Sequence, residues 1–298
     1  MKRIFVTLAL ALTASTALAA DLPSYKAPPP PPPPPPPLWT GFYVGLNAGG
    51  AWASNNSVYV TNWPAVGAVG ILNLPLSGSQ SANSGAGFIG GGQIGYNWQF
   101  YNGRLVAGIE TDIQGIAGSS GGGASWIATP LGVIPDPQTE TFIPVNLLSG
   151  ISVRKSLDYI GTVRGRLGWL FTPTLLVYGT GGLAYGGVNV NLTSFQSLSF
   201  AGALLPLQGG TAGVSDTRVG WTAGGGLEWM FMPNWSAKAE YLYYDLGPVT
   251  GSAVNVALFG APTVASVSQF STRFNGNIVR AGVNYHFNWG AAPVVAKY

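Results

Sequence analysis

Residues 235–246 have the sequence WSAKAEYLYYDL, in which apolar or aromatic residues alternate with polar or charged ones. Successive side chains of a β-strand point to opposite faces. One face of this segment therefore carries Trp235, Tyr241 and Tyr243, and the other carries Lys238 and Glu240. A strand with one lipid-compatible face and one charged face is typical of a transmembrane β-barrel, whose outer face meets lipid. The segment predicts a barrel strand.

The same alternation recurs along the chain and predicts an all-β fold, an eight-stranded antiparallel up-and-down transmembrane β-barrel. The predicted strands span residues 39–53, 86–100, 104–116, 155–171, 174–187, 216–231, 235–246 and 276–287. Short links at 102–103, 172–173 and 232–234 alternate with long loops at 54–85, 117–154, 188–215 and 247–275. Because the strand number is even, both termini and the short links are expected in the periplasm and the long loops outside the cell.

The composition agrees with a lipid-facing protein. Only 8% of the residues are charged and 44 are glycine, whereas a soluble domain carries about 25% charged residues. A soluble β-sandwich is the alternative for eight strands, but it does not explain charges confined to one strand face. The chain has no cysteine, which excludes disulfides and thiolate metal sites. It also lacks a basic cluster with interleaved aromatics, so no nucleic-acid partner is predicted.

Both ends of the chain differ from the barrel pattern. Residues 1–20 have a basic start, an apolar stretch and an A-x-A site, which predicts a secretory signal peptide. Residues 21–38 include ten consecutive prolines at 28–37, which predict a polyproline II tether in the periplasm about 31 Å long. Such a run is also able to dock into an aromatic groove of a partner. The barrel is predicted over 39–287, followed by a C-terminal extension over 288–298.

The predicted inner face carries ten charged residues, five of each sign. Buried charges are tolerated when they are paired and hydrogen-bonded, and an eight-stranded barrel is just wide enough for side chains to fill it. We therefore interpret the set as a polar plug; the alternative is a narrow charge-lined pathway for small solutes. The predicted network comprises Glu110, Asp112, Asp158, Arg164, Arg166, Arg218, Glu228, Lys238, Glu240 and Arg280.

Five tryptophans lie at the strand ends next to the short links and predict an aromatic girdle at the periplasmic membrane interface. They are Trp39, Trp98, Trp169, Trp229 and Trp235. Catalysis is not predicted, because the only histidine, His286, lies at the periplasmic end of the last strand, far from external substrates. The sequence predicts no catalytic residue, no cofactor and no metal site.

Five segments together resemble the alphaproteobacterial outer-membrane immunogenic protein family, an OmpA-like, porin-like group of eight-stranded barrels. They are WTGFYVG (39–45), GTVRGRLG (161–168), GGLAYG (181–186), WSAKAEYLYYDLG (235–247) and VRAGVNYHF (279–287). The resemblance implies an abundant surface protein of the cell outer membrane with roles in envelope integrity and host contact. Barrels of this kind commonly end at an aromatic assembly signal, whereas here Phe287 is followed by eleven more residues ending in Tyr298.

The sequence therefore predicts a non-enzymatic structural protein of the envelope, with exposed loops for external contact. Two alternatives stay open, a small-solute porin and an adhesin or haem-binding surface receptor. Expected partners are outer-membrane lipid and lipopolysaccharide, the barrel-assembly machinery, and a host or surface ligand held by the loops. Tyr59, Trp63 and Trp126 are the loop aromatics that could stack on such a ligand.

Overall fold

The computed structural model describes residues 39–64, 78–82, 86–100, 103–136, 138–257 and 264–287. The predicted segments 1–20, 21–38 and 288–298 lie outside the described residues and stay predictions. The described strands, in chain order, are β1 (Gly41–Ala53), β2 (Ser57–Pro64), β3 (Gly78–Ser81), β4 (Gly87–Phe100), β5 (Leu105–Ala117), β6 (Gly121–Pro135), β7 (Phe142–Thr172), β8 (Leu175–Phe200), β9 (Ala203–Met232), β10 (Trp235–Ala257) and β11 (Val264–His286).

In the described part of the chain, there is no helix of sufficient length and hydrophobicity to cross a membrane.

Eight of these strands close a barrel, as the sequence predicts. Their order is β1-β4-β5-β7-β8-β9-β10-β11, and β11 pairs back to β1. Each neighbouring pair is antiparallel. The register places Leu46 of β1 opposite Val283 of β11, so the closing pair is an ordinary ladder. The backbone groups of the ring are thereby satisfied within the sheet, which is what a strand needs in order to cross a bilayer.

The outer face of this ring is an apolar belt. Along residues 108–115 of β5 and 162–171 of β7, for example, the exposed side chains alternate strictly with buried ones. The belt includes Phe42, Leu46, Ile94, Ile109, Ile113, Val163, Leu167, Val219, Leu227, Val279 and Val283, each between 43% and 74% exposed. Exposed apolar residues in such number fit a surface that meets lipid. We take the segments 41–53, 87–100, 105–117, 159–172, 175–187, 219–232, 235–244 and 276–286 as the membrane-spanning part.

The strands continue well beyond the belt, and here the predicted long loops are wrong. Most of the described part of 117–154, 188–215 and 247–275 is strand, in β6 to β11, and 54–85 contains β2 and β3. The reason is that many outward side chains above the belt are short and polar. The composition therefore resembles that of a loop although the inward face still alternates, as in Val188, Val190 and Leu192.

These continuations form an upper barrel, defined as β2, β3, β6 and residues 142–157, 188–218 and 246–275. Within it β2 and β3 extend the sheet from β11, and β6 pairs with β7 at the other side. β3 and β6 then meet edge to edge, where Gln80 Nε2 donates a hydrogen bond to Ser125 Oγ. In the ring above the belt, β2, β3 and β6 thus take the places of β1, β4 and β5.

Two irregularities mark the boundary between the belt and the upper barrel. The β7–β8 register shifts between Leu157 and Tyr159, so Asp158 is an extra residue, a β-bulge. The β9–β10 ladder stops after the pair of Asp245 with Trp221 and resumes only at Val256 with Gly209. Both features change which side chains point inward immediately above the membrane.

The three predicted short links lie at the opposite end of the barrel. Turns follow β4, β7 and β9. Gly103 has a φ of 77°, a left-handed conformation that glycine adopts without strain, while Asn102 lies outside the described residues. Short turns on one side and long strands on the other are typical of an outer-membrane barrel, with the long side extracellular.

Candidate functional site

Eight of the ten predicted inner charges meet inside the barrel. They come from β5, β7, β9, β10 and β11, four acidic and four basic, and none is more than 4% exposed. This charged layer consists of Glu110, Asp112, Arg164, Arg166, Glu228, Lys238, Glu240 and Arg280. Its formal charge is balanced. A balanced set is what burial requires, because an unpaired charge in the interior is strongly unfavourable.

Two arginines occupy the centre of the charged layer. Arg164 Nη2 lies 2.5 Å from Glu110 Oε1 and 2.9 Å from Asp112 Oδ2, and its Nη1 lies 2.9 Å from Glu240 Oε1. Arg280 Nη2 lies 2.8 Å from Asp112 Oδ2 and 2.5 Å from Glu240 Oε2. The two guanidinium groups therefore share three carboxylates across the lumen. Such charge-assisted hydrogen bonds are the strong ones in proteins.

Lys238 and two tyrosines also bind the carboxylates of the charged layer. Lys238 Nζ donates to both oxygens of Glu110, at 2.9 and 3.0 Å. Tyr43 Oη donates to Glu110 Oε2 at 2.7 Å, and Tyr178 Oη donates to Glu240 Oε1 at 3.1 Å. These two tyrosines were not among the predicted site residues. Their signal was their position in strand, on the inward side of glycine-rich segments.

The lower half of the layer is built around Glu228. Arg166 Nη2 pairs with its carboxylate, Ser236 Oγ donates to Oε1 at 2.6 Å, and Asn284 Nδ2 donates to Oε1 at 2.7 Å. His286 Nε2 lies 2.9 Å from Ser236 Oγ and 3.3 Å from Glu228 Oε1. The chain's only histidine therefore belongs to this buried polar cluster.

Buried apolar side chains lie above and below the charged layer. Inward positions along β10 run Ser236, Lys238, Glu240, Leu242 and Tyr244, so the polar layer gives way to an apolar one within a single strand. The upper apolar cluster includes Ala51, Ile89, Leu157, Ile160, Ala184, Val188, Leu242, Leu246, Phe270, Phe274 and Ile278. The lower apolar cluster consists of Trp39, Val106, Leu170, Leu176, Tyr178 and Met230.

A second, uncharged polar network fills the top of the upper barrel. Asn255 is its centre: its Nδ2 donates to Ser266 Oγ at 2.9 Å and to Ser268 Oγ at 2.8 Å, and its Oδ1 accepts from Ser194 Oγ at 2.6 Å. Ser266 Oγ in turn donates to Gln208 Oε1 at 3.0 Å. These side chains are almost fully buried. Sequence reasoning missed them because it treated the segments as loops.

Asp158 and Arg218 do not join the charged layer, contrary to the prediction. The bulge at Asp158 turns its side chain outward, where it accepts hydrogen bonds from Ser156 and Asn189. Arg218 lies where β9 and β10 separate; its side chain is 37% exposed, and Nη2 donates to Pro248 O at 2.5 Å. Because the two omitted residues have opposite signs, the layer keeps its balance.

Trp39 is also placed differently from the prediction. It lies before β1 begins, is fully buried in the lower apolar cluster, and donates from Nε1 to Pro173 O at 3.0 Å. Its ring meets His286 edge-on at 5.7 Å. Trp39 thus closes the turn end of the barrel interior and does not belong to an outer girdle.

The other four predicted girdle residues point outward at the turn end. Trp98, Trp169, Trp229 and Trp235 are 38–55% exposed. Trp98 packs on Tyr96, and Trp235 packs edge-on against Tyr285 at 5.1 Å. That they lie at the membrane interface stays a prediction.

Among the described residues, no group of three or more histidine, cysteine, aspartate or glutamate side chains is arranged to hold an ion. The acidic groups of the charged layer are instead bound to arginine and lysine, as the contacts above show.

Comparison with known proteins places this geometry in a family. A family model described as "Outer membrane protein beta-barrel domain" matches residues 5–287. The chain is similar to the 31 kDa outer-membrane immunogenic protein of Brucella melitensis, with 36% identity over 290 residues, covering 96% of this chain and 100% of that protein. It is also similar to the 22 kDa outer membrane protein of Rhizobium leguminosarum bv. viciae, with 31% identity over 185 residues, covering 60% and 62%.

Among solved structures, the outer membrane protein OprG of Pseudomonas aeruginosa covers 83% of this chain and 97% of its own, with 12% identity and a TM-score of 0.39, which is too low to carry an argument. The family match and the Brucella relative agree with the closed ring of strands. The chain therefore belongs to the outer membrane protein β-barrel domain family and is a protein of the outer membrane.

Proposed function

We propose that this chain is a closed structural barrel, which contributes to envelope integrity and presents its upper barrel for external contact, without forming a channel or catalysing a reaction. The observation that carries the proposal is the enclosure of the charged layer between two buried apolar clusters. Charged residues that lined a pore would have to face water along the barrel axis. Here the eight charged residues face one another.

The order of side chains along single strands supports a sealed interior. From the turn end, β7 places Leu170, Arg166, Arg164, Thr162 and Ile160 on its inward face, all buried. An ion following this strand would leave a paired polar layer for an apolar one at either end. Transfer of a charge into such surroundings is highly unfavourable. The geometry therefore favours a plug over the porin alternative.

One cluster of the described residues contains a serine, a histidine and a glutamate but does not have the geometry of a catalytic triad. Ser236, His286 and Glu228 lie together, but serine and glutamate both approach the same histidine nitrogen, Nε2. A working triad uses one ring nitrogen for the nucleophile and the other for the acid. All three residues are also at most 2% exposed, and the Trp39 ring packs edge-on against His286. This supports a structural role for the cluster.

The far end of the upper barrel supports the external-contact part of the proposal. The β6–β7 hairpin exposes large apolar side chains, including Trp126 at 72%, Phe142 at 68% and Ile127 at 64%. Leu204 of β9 adds another at 61%. Apolar groups rarely stay exposed in number on a soluble surface unless a partner covers them. These residues lie beyond the belt, where lipid does not reach them.

Conductance of the mature protein in a planar lipid bilayer tests the sealed interior. Refolded protein, verified by its heat-dependent mobility on a denaturing gel, should give no stable current steps, while a general porin measured in the same bilayer conducts. Reproducible steps at wild-type sequence contradict the plug and favour the porin alternative.

Experiments in cells test the envelope role and the external contact separately. A strain lacking the chain should become more sensitive to detergent, and the wild-type gene should restore resistance. A double variant, Trp126→Ser with Phe142→Ser, should restore resistance equally while losing external contact. Unchanged detergent sensitivity on deletion contradicts an envelope role.

A further inference from the structure

The outer face of the upper barrel holds a cleft that the closed interior does not explain. It spans three neighbouring strands and has a volume of about 510 Å³, within the range of roughly 300–1,000 Å³ typical of small-molecule sites. Ser271 of β11 pairs with Tyr59 of β2 and with Thr250 of β10, and Gln269 pairs with Thr61 and Ser252. The cleft is thus lined by two cross-strand rows of three side chains: Tyr59, Ser271 and Thr250, and Thr61, Gln269 and Ser252.

The chemistry of this lining is uniform and uncharged. Five of the six side chains carry a hydroxyl group and the sixth, Gln269, carries an amide, so the rows offer both donors and acceptors. Tyr59 is 61% exposed, and Trp63, four residues further along the same face of β2, is 59% exposed. Flat exposed rings beside closely spaced hydroxyl and amide groups suit a sugar, which has an apolar C–H face and a rim of hydroxyls.

The nearest charges do not compete for this role. Arg273, the next outward residue of β11 below the cleft, holds Asp245: its Nη2 lies 2.6 Å from Oδ2 and its Nε lies 3.1 Å from Oδ1. The guanidinium is therefore neutralised by a two-point pair. A phosphate group has no free cation at the cleft itself, where all six lining side chains are neutral.

The height of the cleft identifies the source of the sugar. On β11, eight residues separate Ser271 from Val279, an exposed residue of the apolar belt. At about 3.3 Å per residue this is roughly 26 Å along the strand, and with a tilt of about 40° it is roughly 20 Å above that residue. The cleft opens outward, and two of its three strands, β10 and β11, continue downward into the apolar belt. It therefore faces the saccharide layer of the surrounding leaflet, above the lipid anchors.

We propose that this cleft binds the core oligosaccharide of neighbouring lipopolysaccharide, with a sugar ring stacked on Tyr59 and its hydroxyls hydrogen-bonded by Thr61, Gln269 and Ser271. The site extends the lipid contact of the belt upward into the sugar layer. It tethers the barrel to its own leaflet. This holds whether or not the interior conducts, so the bilayer measurement above and the binding measurement below fail independently.

Isothermal titration calorimetry of the mature protein in uncharged detergent tests the site. The probe is the core oligosaccharide released by mild acid from lipopolysaccharide of the organism that carries this chain. Tyr59→Ala and Gln269→Ala should each weaken binding about tenfold or more. Trp126→Ala, which removes an equally exposed aromatic from the β6–β7 hairpin, should bind like wild type. Heat-dependent gel mobility verifies that every variant is folded.

Two further titrants separate the sources of the ligand. The lipid A fraction of the same hydrolysis and the neutral trisaccharide maltotriose should bind at least tenfold more weakly than the core oligosaccharide. Equal binding by wild type and both cleft variants overturns the proposal, as does an absence of binding by wild type. A preference for lipid A or for maltotriose overturns it as well, because the cleft would then not be specific for the core sugars.

Discussion

Replacement of Arg164 by alanine removes the side chain that holds the charged layer together. Its guanidinium contacts Glu110, Asp112 and Glu240, from two other strands, and its Nε donates to Thr162 Oγ1 at 2.8 Å. The variant leaves three carboxylates with one cation fewer and an unfilled space between them. The layer then carries a net negative charge in surroundings that are almost fully buried.

The expected loss of stability is large. Removing one partner of a buried ion pair costs about 3–5 kcal/mol, because the other charge remains buried without compensation. The matched control is Arg218→Ala. Arg218 has the same side chain on the same barrel but is 37% exposed, with Asp216 3.6 Å away. Exposed pairs of this kind contribute about 0–1 kcal/mol. The two variants should therefore differ by at least about 2 kcal/mol.

Urea unfolding in lipid vesicles or detergent, followed by tryptophan fluorescence and by gel mobility, measures this difference. A second variant separates charge from shape. Arg164→Ala combined with Asp112→Asn restores neutrality while leaving the space unfilled, and Arg280 keeps Glu240 as its partner. The double variant should regain part of the loss. Equal unfolding midpoints for Arg164→Ala and Arg218→Ala would refute the role given to the charged layer.

Two other variants test the packing and the upper barrel. Gly95→Ala should destabilise the barrel by about 1–3 kcal/mol in the urea assay, because the added Cβ would meet the ring of Tyr43. Its control is Gly115→Ala, whose Cβ would have no atom within 4 Å and which should be neutral or slightly stabilising. In the upper barrel, burial lowers the pKa of Lys155 to about 8 from its usual value near 10.4. Between these two values the unfolded chain binds more protons than the folded one. The free-energy cost of burying the charged Lys155 is therefore full below pH 8 and falls as the pH rises toward 10.4. Wild type should gain stability relative to Lys155→Met between pH 8 and 10, and parallel pH profiles for the two would contradict this.

The membrane-spanning ring was readable from sequence because lipid imposes a strict pattern. The outward residues there, every second one along a strand, are mostly apolar, so the predicted strand 276–287 and the observed strand Val264–His286 end within one residue of each other at the turn end. Above the belt that requirement ends. Water accepts Thr250 or Ser252 on the outer face, and the resulting composition no longer distinguishes a strand from a loop.

The errors in the candidate site have local physical causes. An alternating pattern assigns every second residue to the same face of the strand. The bulge at Asp158 inserts one extra residue, so the pattern places Asp158 on the inner face although its side chain points outward. Arg218 keeps the strand position that the alternation predicts, but it lies where the β9–β10 pairing is interrupted, so β10 does not cover its side chain. Trp39 precedes β1 and folds under the barrel. None of these features leaves a signal in the pattern of apolar and polar residues.

The charged layer stabilises one strand register of the barrel over the alternatives. The chain has only 13 basic and 10 acidic residues, yet eight of them lie in this layer. A one-residue slip of β10 would turn Lys238 and Glu240 toward lipid and bring Ala239 and Tyr241 inside. A basic residue facing the middle of the bilayer costs about 2–4 kcal/mol, and the slip would also remove the Glu240 carboxylate that Arg164 and Arg280 share. The apolar belt alone penalises a slip weakly where alanine and glycine alternate, so the buried ion pairs decide which strand positions meet.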